Sequence, residues 1–534
     1  MTSTTTPPRP AAETPQTPWL PTRWAAALVG IVAVGLTFGI AELLAAVGAW
    51  TDVLSDTSSP LGALGAGFIR LTPLWLERFA ITTFGTADKT VLRIGMAITV
   101  LIAAGLVGVL ARRSPRLALA AAGVLVVITG VAVLLRHGSS WTDLLPLLVG
   151  AAAGLSVLVR AFRRQVVHEP AALPTTTTID RRNFLRVAGM GAAVAVVTGV
   201  LSRLVPSAAE VQASRAAAIV PVPGDVQKVT ANFGLHENGL SPYITPNDDF
   251  YRIDTVLAPP LLRAEDWLLR VHGLVDNEIT IGYGDLVNRP QVQRTITLTC
   301  VSNEVGGSLI GNATWIGARL QDLLAEAGPQ EGADCVLCTS TDGFTSSTPL
   351  EALTDGRDAL LAVAMNGEIL PVEHGFPVRM VVPGLYGYVS ATKWVVDLEV
   401  TRFADVAAYW TVRGWSDHGP IKTSSRFDVP RAGTVQYDEG HQVVLAGVAW
   451  AQHTGITGVQ VQIDDGAWED ADLGETLSVD TWRQWSHTWT ATGKGQHVLR
   501  VRAVDATGAV QTDAVADVVP DGATGLDSRT VTVV

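Results

Sequence analysis

Five apolar runs of roughly bilayer length occupy most of the first 205 residues, at 24–49, 90–110, 116–135, 143–161 and 187–205. A bilayer offers no water to backbone N–H and C=O groups, so a crossing segment must satisfy them within itself. About 20 consecutive apolar residues do so as a helix. The chain therefore predicts a helical membrane region over residues 24–205 with about five transmembrane helices. Before it lies a tail, 1–23, whose Pro- and Thr-rich composition supports no core. The stretch 61–86 is read as interfacial or re-entrant, because Arg70, Glu77 and Arg78 fall within one helix length, where charge is costly.

Basic residues orient these runs. Arg112, Arg113 and Arg116 follow the second, while Arg160, Arg163, Arg164, Arg181, Arg182 and Arg186 separate the fourth from the fifth. The positive-inside rule places both loops in the cytoplasm, and Arg9 and Arg23 put the N-terminus there too. Five crossings then leave everything after Val205 on the extracytoplasmic side, so the expected location is the cell membrane, multi-pass. The segment 180–186, Asp180-Arg181-Arg182-Asn183-Phe184-Leu185-Arg186, precedes an apolar run and resembles a twin-arginine export signal, here internal. A basic stop-transfer flank is the alternative, and retention as an anchor is expected over cleavage near Ser207-Ala208-Ala209.

Charge divides the chain at about the same place. Residues 1–214 carry 17 Lys and Arg against 10 Asp and Glu, whereas residues 215–534 carry 21 against 40. So acidic a region excludes nucleic-acid binding through phosphates. Three cysteines make no disulfide framework, and Cys335-Val336-Leu337-Cys338 lies in an apolar run that reads as structural. The first four apolar runs hold no histidine and the chain has no Cys-x-x-Cys-His, so a haem is not expected and the membrane region reads as an anchor or docking surface.

Beyond a linker at 206–240 with Pro221 and Pro223, residues 241–420 mix short strands (268–274, 294–300, 335–340, 360–365, 377–382, 393–401) with a helix over 316–327, an α+β pattern. From 425 to 534 short strands alternate with turns, at 441–450, 457–464, 484–490, 496–504 and 527–533. That pattern predicts a β-sandwich, immunoglobulin-like in outline.

Within 241–420 one stretch carries chemistry. Ile296, Leu298 and Cys300 alternate with Thr295, Thr297 and Thr299 at the period of a half-buried strand, then Ser302-Asn303-Glu304-Val305-Gly306-Gly307 turns. Spacing alone permits a buried structural cysteine. The wider stretch resembles the sulfite oxidase family of molybdenum enzymes, in which a Thr-Leu-x-Cys strand end supplies the protein thiolate to the metal. Further blocks match in order: Ile244-Thr245-Pro246-Asn247 with Phe250; Met365-Asn366-Gly367-Glu368; Pro371; His374-Gly375-Phe376-Pro377-Val378-Arg379; Val382-Pro383-Gly384; and Lys393-Trp394.

The resemblance implies a molybdopterin (Mo-molybdopterin) cofactor with Cys300 as metal ligand. It implies that His374, Arg379 and Lys393 anchor the pterin phosphate, with Asn247, Arg252, Asn303 and Asp342 as further cofactor contacts. An Arg and a Lys flanking a Val-Val-Pro strand could also form a solvated salt-bridge face. The β-rich region corresponds to the family's dimerisation domain, which implies a homodimer. At the substrate pocket the pattern departs. Ile253, beside Arg252, and Val305, beside Glu304, stand where sulfite-oxidising relatives have arginines, and Trp415 stands for their tyrosine, while Arg483 matches a pocket arginine. Trp415 and Trp485 suit a less charged or bulkier substrate.

The expected protein is a membrane-anchored oxidoreductase that transfers an oxygen atom on a small sulfur or other oxo substrate, with a separate haem- or quinone-linked electron partner. The alternatives are a sulfoxide reductase-type activity of the same fold and a cofactor-free envelope binding or assembly protein.

Overall fold

The computed structural model describes the chain except for residues 1–19, 51–52, 55–57, 73–75, 77–78, 80–82, 84–87, 137–138, 168–175, 205–206, 231–232, 257–258, 432, 436–441 and 492–493. Most of the 1–23 tail and part of the 61–86 stretch lie outside the described residues. Two compact units result, Met1–Pro206 and Ser207–Val534.

In the first unit five helices are long and apolar enough to cross a membrane: Arg23–Gly48, Val91–Arg113, Pro115–Leu134, Trp141–Ala161 and Arg181–Leu201. The first packs against the helices Asp88–Arg113, Leu145–Ala161 and Arg181–Leu204. Small residues at the helix contacts let the backbones approach closely. They do so at Gly30 and Gly108, where a Cβ would fall 2.1 Å from the Ala104 and Ala26 carbonyl oxygens. Asp180 caps the last helix, its Oδ1 accepting from the N–H groups of Arg182 (2.9 Å) and Asn183 (3.3 Å).

The second unit begins with a helix, Ser207–Ala217, and two of its sheets build the α+β part. One runs Glu368–Ile369, Leu360–Met365, Ile310–Arg319, Gln291–Thr299, Asp225–Val226, with Arg379–Val381 also pairing on Leu360–Met365. The other runs Ile279–Gly282, Leu268–Gly273, Val395–Thr401, Cys335–Ser340, Thr345–Pro349, and its second and third strands are parallel. Cys335 and Cys338 are both buried free thiols in the latter, and burial pushes the Cys338 thiol up to about 12.

Three expectations change. Residues 316–319 are strand and only Leu320–Ala327 is helix, closed by Gly328 at φ 68. Apolar spacing there fits both periods, and pairing on both edges of Ile310–Arg319 decides for strand. The 206–240 stretch is not a free linker. Asp225 and Val226 pair with Val292 and Gln293, and Arg215 donates to the Leu370 and Ile369 carbonyls. Third, the Cys300 strand is covered on both faces, as the region after Ser424 shows.

That region forms two sheets. One is Ser424–Val429, Gln442–Trp450, Arg483–Thr490, Asp472–Leu473; the other is Gly433–Val435, Asp527–Val533, Gly495–Asp505, Ile456–Ile463, Glu469–Asp470. They share one core that includes Phe427, Leu445, Val461, Trp485, Val501 and Val531. This β-rich region also covers the threonine face of the Cys300 strand. Thr297 Oγ1 accepts from the Trp482 N–H (2.8 Å), and Thr299 Oγ1 accepts from Gln452 Nε2 (2.8 Å). Ile296 and Leu298 face the opposite way into a core with Trp315 and Phe376.

Gly317 is where the central sheet tolerates least. A Cβ there would lie 2.3 Å from the Leu361 carbonyl oxygen and 2.8 Å from Ala362 Cα, both backbone atoms that cannot yield. Gly317→Ala should destabilise the second unit by about 3 kcal/mol or more, read as a lowered denaturation midpoint.

Candidate active site

Cys300 leaves its strand into a self-bonded loop. Its N–H donates to the Leu309 carbonyl (2.9 Å), the Asn303 N–H donates back to the Cys300 carbonyl (3.0 Å), and Asn303 Oδ1 accepts from the Leu309 N–H (2.8 Å). Gly306, at φ 71, turns the chain where no Cβ would fit beside Asp527. The loop presents Cys300 to an open cleft of about 850 Å³.

Charged groups line part of that cleft. Arg379 is buried, and its guanidinium donates only to carbonyls: Nη1 to His374 (3.1 Å), Nη2 to Ala391 (3.4 Å) and Nε to Met380 (3.4 Å). It lies 4.9 Å from the Trp315 ring centroid and has no carboxylate partner among the described residues. Burial brings its pKa down to about 10. Lys393, by contrast, is neutralised by Asp254 (2.9 Å), a buried carboxylate that Arg252 also holds (2.9 Å). Burial pushes the Asp342 carboxyl up, and the Asp254 charge adds to this. His374 Nε2 donates to the Asn247 carbonyl (2.9 Å), which fixes its tautomer. Burial, then the Arg379 charge, brings the His374 pKa down to about 4, so the ring is neutral.

Aromatic groups line the rest: Phe250, Tyr251, Phe344, Tyr388, Trp394, Trp410 and Trp415. Trp415 is 7% exposed, and its Nε1–H has no partner among the described residues. Burial, then the Cys300 charge, raises the Tyr251 phenol well above its ordinary pKa, so it stays protonated.

Of the residues read from the sequence, the cleft collects Cys300, Asp342, His374, Arg379, Lys393 and Trp415. Four stand outside its lining, three of them with supporting parts. Asn247 orients His374 and accepts from Asn366 Nδ2 (2.8 Å), Arg252 braces Asp254, and Asn303 staples the loop. Arg483 does not reach the cleft: its guanidinium donates to the Gly474 and Ile456 carbonyls (2.9 Å each) inside the β-rich region. Trp485 is likewise core there, at 0% exposure. Ile253 lines the cleft, whereas Val305 turns towards Gly525, 3.6 Å from its Cβ position. Sequence reasoning missed Tyr251, Asp254, Tyr388 and Trp410. For Asp254 a signal existed, an acid between an arginine and a distant lysine.

A family model described as the oxidoreductase molybdopterin binding domain matches residues 256–410. The chain is 31% identical over 325 residues to mitochondrial sulfite oxidase of Homo sapiens, covering 52% of this chain and 58% of that protein. It therefore spans little more than half the length of that relative. It is 34% identical over 161 residues to the uncharacterized oxidoreductase YuiH of Bacillus subtilis, covering 30% of this chain and 78% of that one. The chain belongs to the sulfite oxidase-like family of molybdopterin oxidoreductases. Among solved structures, the sulfane dehydrogenase SoxCD of Paracoccus pantotrophus aligns with a TM-score of 0.45 at 26% identity, over 51% of this chain and 75% of that one.

The family's cofactor is molybdopterin. The donor set in the cleft fits such a group: a thiol for a soft metal, and a buried guanidinium short of an anion. Part of the cleft lies outside the matched span, since Tyr251 and Asp254 precede residue 256 and Trp415 follows residue 410.

His374 supplies a pH test. Its folded pKa is depressed, so between about 6.5 and 4 the unfolded chain binds more protons and stability rises with pH. In protein purified without cofactor, lowering the pH from 6.5 to 5 should cost about 2 kcal/mol through this group. His374→Gln, which keeps a donor for the Asn247 carbonyl, should flatten that part of a thermal-midpoint profile.

Proposed function

We propose that the protein is a membrane-anchored molybdopterin oxidoreductase that transfers an oxygen atom to or from a small sulfur or other oxo substrate. The observation that carries this reading is Cys300 and the uncompensated Arg379 guanidinium on the walls of one cleft. Bound there, molybdopterin supplies a molybdenum centre that exchanges oxygen atoms and electrons. Cys300 provides the thiolate ligand. Arg379 and Lys393 hold the phosphate, with Arg379 kept in place by three carbonyls and Lys393 by Asp254. His374, neutral and tied to Asn247, positions the Arg379 guanidinium through its own carbonyl. Asp342 offers a protonatable acceptor to the heterocycle.

A sulfoxide reductase-type activity of the same fold is the second reading. It is favoured by a cleft whose described cations are Arg379 and Lys393, the latter already paired, and whose remaining lining is largely aromatic. Sulfite would call for converging positive charge instead.

The five apolar helices support insertion in a membrane. We infer an inside N-terminus from the arginine clusters, export through the segment 180–186, and a catalytic unit on the extracytoplasmic face. Residues 241–420 form the catalytic domain and residues 425–534 an immunoglobulin-like dimerisation domain. Electrons pass to or from a separate haem- or quinone-linked partner, a reading that the likeness to sulfite oxidases supports.

The test is metal analysis of the full chain in detergent, made with the cofactor pathway present. Wild type should hold about one molybdenum per chain. Cys300→Ser should lose it or shift its visible absorption, and Arg379→Gln should lower the content. A folded wild type without molybdenum would overturn the enzyme and leave an envelope binding or assembly protein.

A further inference from the structure

We propose that Tyr251 is a specificity-determining residue of this site, its phenolic O–H holding the oxygen of an uncharged oxo substrate such as a sulfoxide or an amine N-oxide. The inference rests on the oxygen-transfer reading of the cleft. It begins with how Tyr251 is fixed.

The Tyr251 ring stacks on Phe250, with centroids 5.2 Å apart at 20°. Phe250 is in turn held edge-on between Trp315 (5.8 Å) and His374 (5.7 Å). The phenol therefore has a set position on the cleft wall. Its hydroxyl lies 3.6 Å from where a Cβ would stand at Gly387, a residue that also lines the cleft. Having no side chain, Gly387 leaves the space beside the hydroxyl open. That hydroxyl makes no hydrogen bond among the described residues.

The neighbouring phenols are engaged. Tyr388 donates to the Ser416 carbonyl (2.6 Å), and the Tyr386 oxygen accepts from the Lys422 N–H (3.5 Å). Trp415 adds an independent observation, a buried indole N–H on a residue lining the same cleft, with no partner among the described residues. The Trp415 N–H is buried, and buried donors in folded proteins are nearly always satisfied; the half-buried Tyr251 hydroxyl beside the cleft has no acceptor among the described residues either, so both can serve an acceptor from outside the chain. Both are neutral. They match a polarised but uncharged oxygen, while Arg379 and Lys393 serve the cofactor's phosphate and Lys393 is also paired with Asp254.

Dimethyl sulfoxide is the probe, titrated into the molybdenum-replete chain while the metal's visible absorption is followed, with sulfite titrated in parallel. Tyr251→Phe removes an oxygen to which no described residue hydrogen-bonds, so molybdenum content and thermal midpoint should match wild type. Its apparent Kd for dimethyl sulfoxide should rise roughly tenfold, the weight of one good hydrogen bond, with the sulfite response unchanged. Gly387→Ala places a methyl in ordinary contact with the phenol and should weaken dimethyl sulfoxide in the same way. A replete Tyr251→Phe protein that binds dimethyl sulfoxide as wild type does, or loses sulfite equally, would overturn the proposal. So would a replete wild type with no response to dimethyl sulfoxide. A folded wild type without molybdenum is the separate failure of the parent reading, and removes this inference with it.

Discussion

A guanidinium with no counter-ion is the constraint around which the cleft is built. Arg379 is buried, with three carbonyl oxygens as acceptors and the Trp315 ring 4.9 Å away. Removing a charge from water without a partner is expensive, so the arrangement makes sense only if an anion completes it. Its position comes from the sheet. Arg379–Val381 pairs with Leu360–Met365, which pairs with Ile310–Arg319, which pairs with the strand that ends at Cys300. Thiol and guanidinium thus reach one cleft from strands of one sheet, and Gly317 permits the closest of those approaches.

The rigidity of the Cys300 end comes from outside the α+β part. The Thr297 N–H donates to the Asp480 carbonyl (3.0 Å), and Arg426 Nη1 donates to the Gly307 carbonyl (2.8 Å). The β-rich region therefore braces both the strand and the loop that carry the thiol. That explains why the Arg483 strand is tied to the site without contributing to it: neighbouring Trp482 holds Thr297, while the Arg483 guanidinium closes its own sheet.

The cleft divides its charge economically. Asp254 neutralises Lys393 and Arg252 together, leaving Arg379 as the described cation without a carboxylate. In an otherwise acidic region, such local pairing lets an anionic group bind without drawing in every anion. Around it, tightly packed rings hold Tyr251 and Trp415 in fixed places. On the reading proposed above, specificity falls to neutral donors, because the charged groups have partners or a cofactor to hold.

Much was legible in the order of residues. Length and hydropathy pointed to the five long apolar helices, since a helix satisfies the backbone groups of an apolar run within itself. Short apolar or β-branched runs located the strands at 335–340, 360–365 and 527–533, and the motif residues Cys300, His374, Arg379 and Lys393 line one cleft. Period alone could not separate strand from helix at 316–319, because a strand paired on both edges overrides local spacing. Nor could it show that Arg483 turns away, that Asp254 stands between two cations, or that the Tyr251 hydroxyl has no hydrogen bond among the described residues. Sequence by itself determined which elements form and what chemistry they carry, because periodicity and residue type are local. Which groups pair, and which are left open for a ligand, was decided only by the tertiary structure, because pairing depends on distances between residues far apart in the chain.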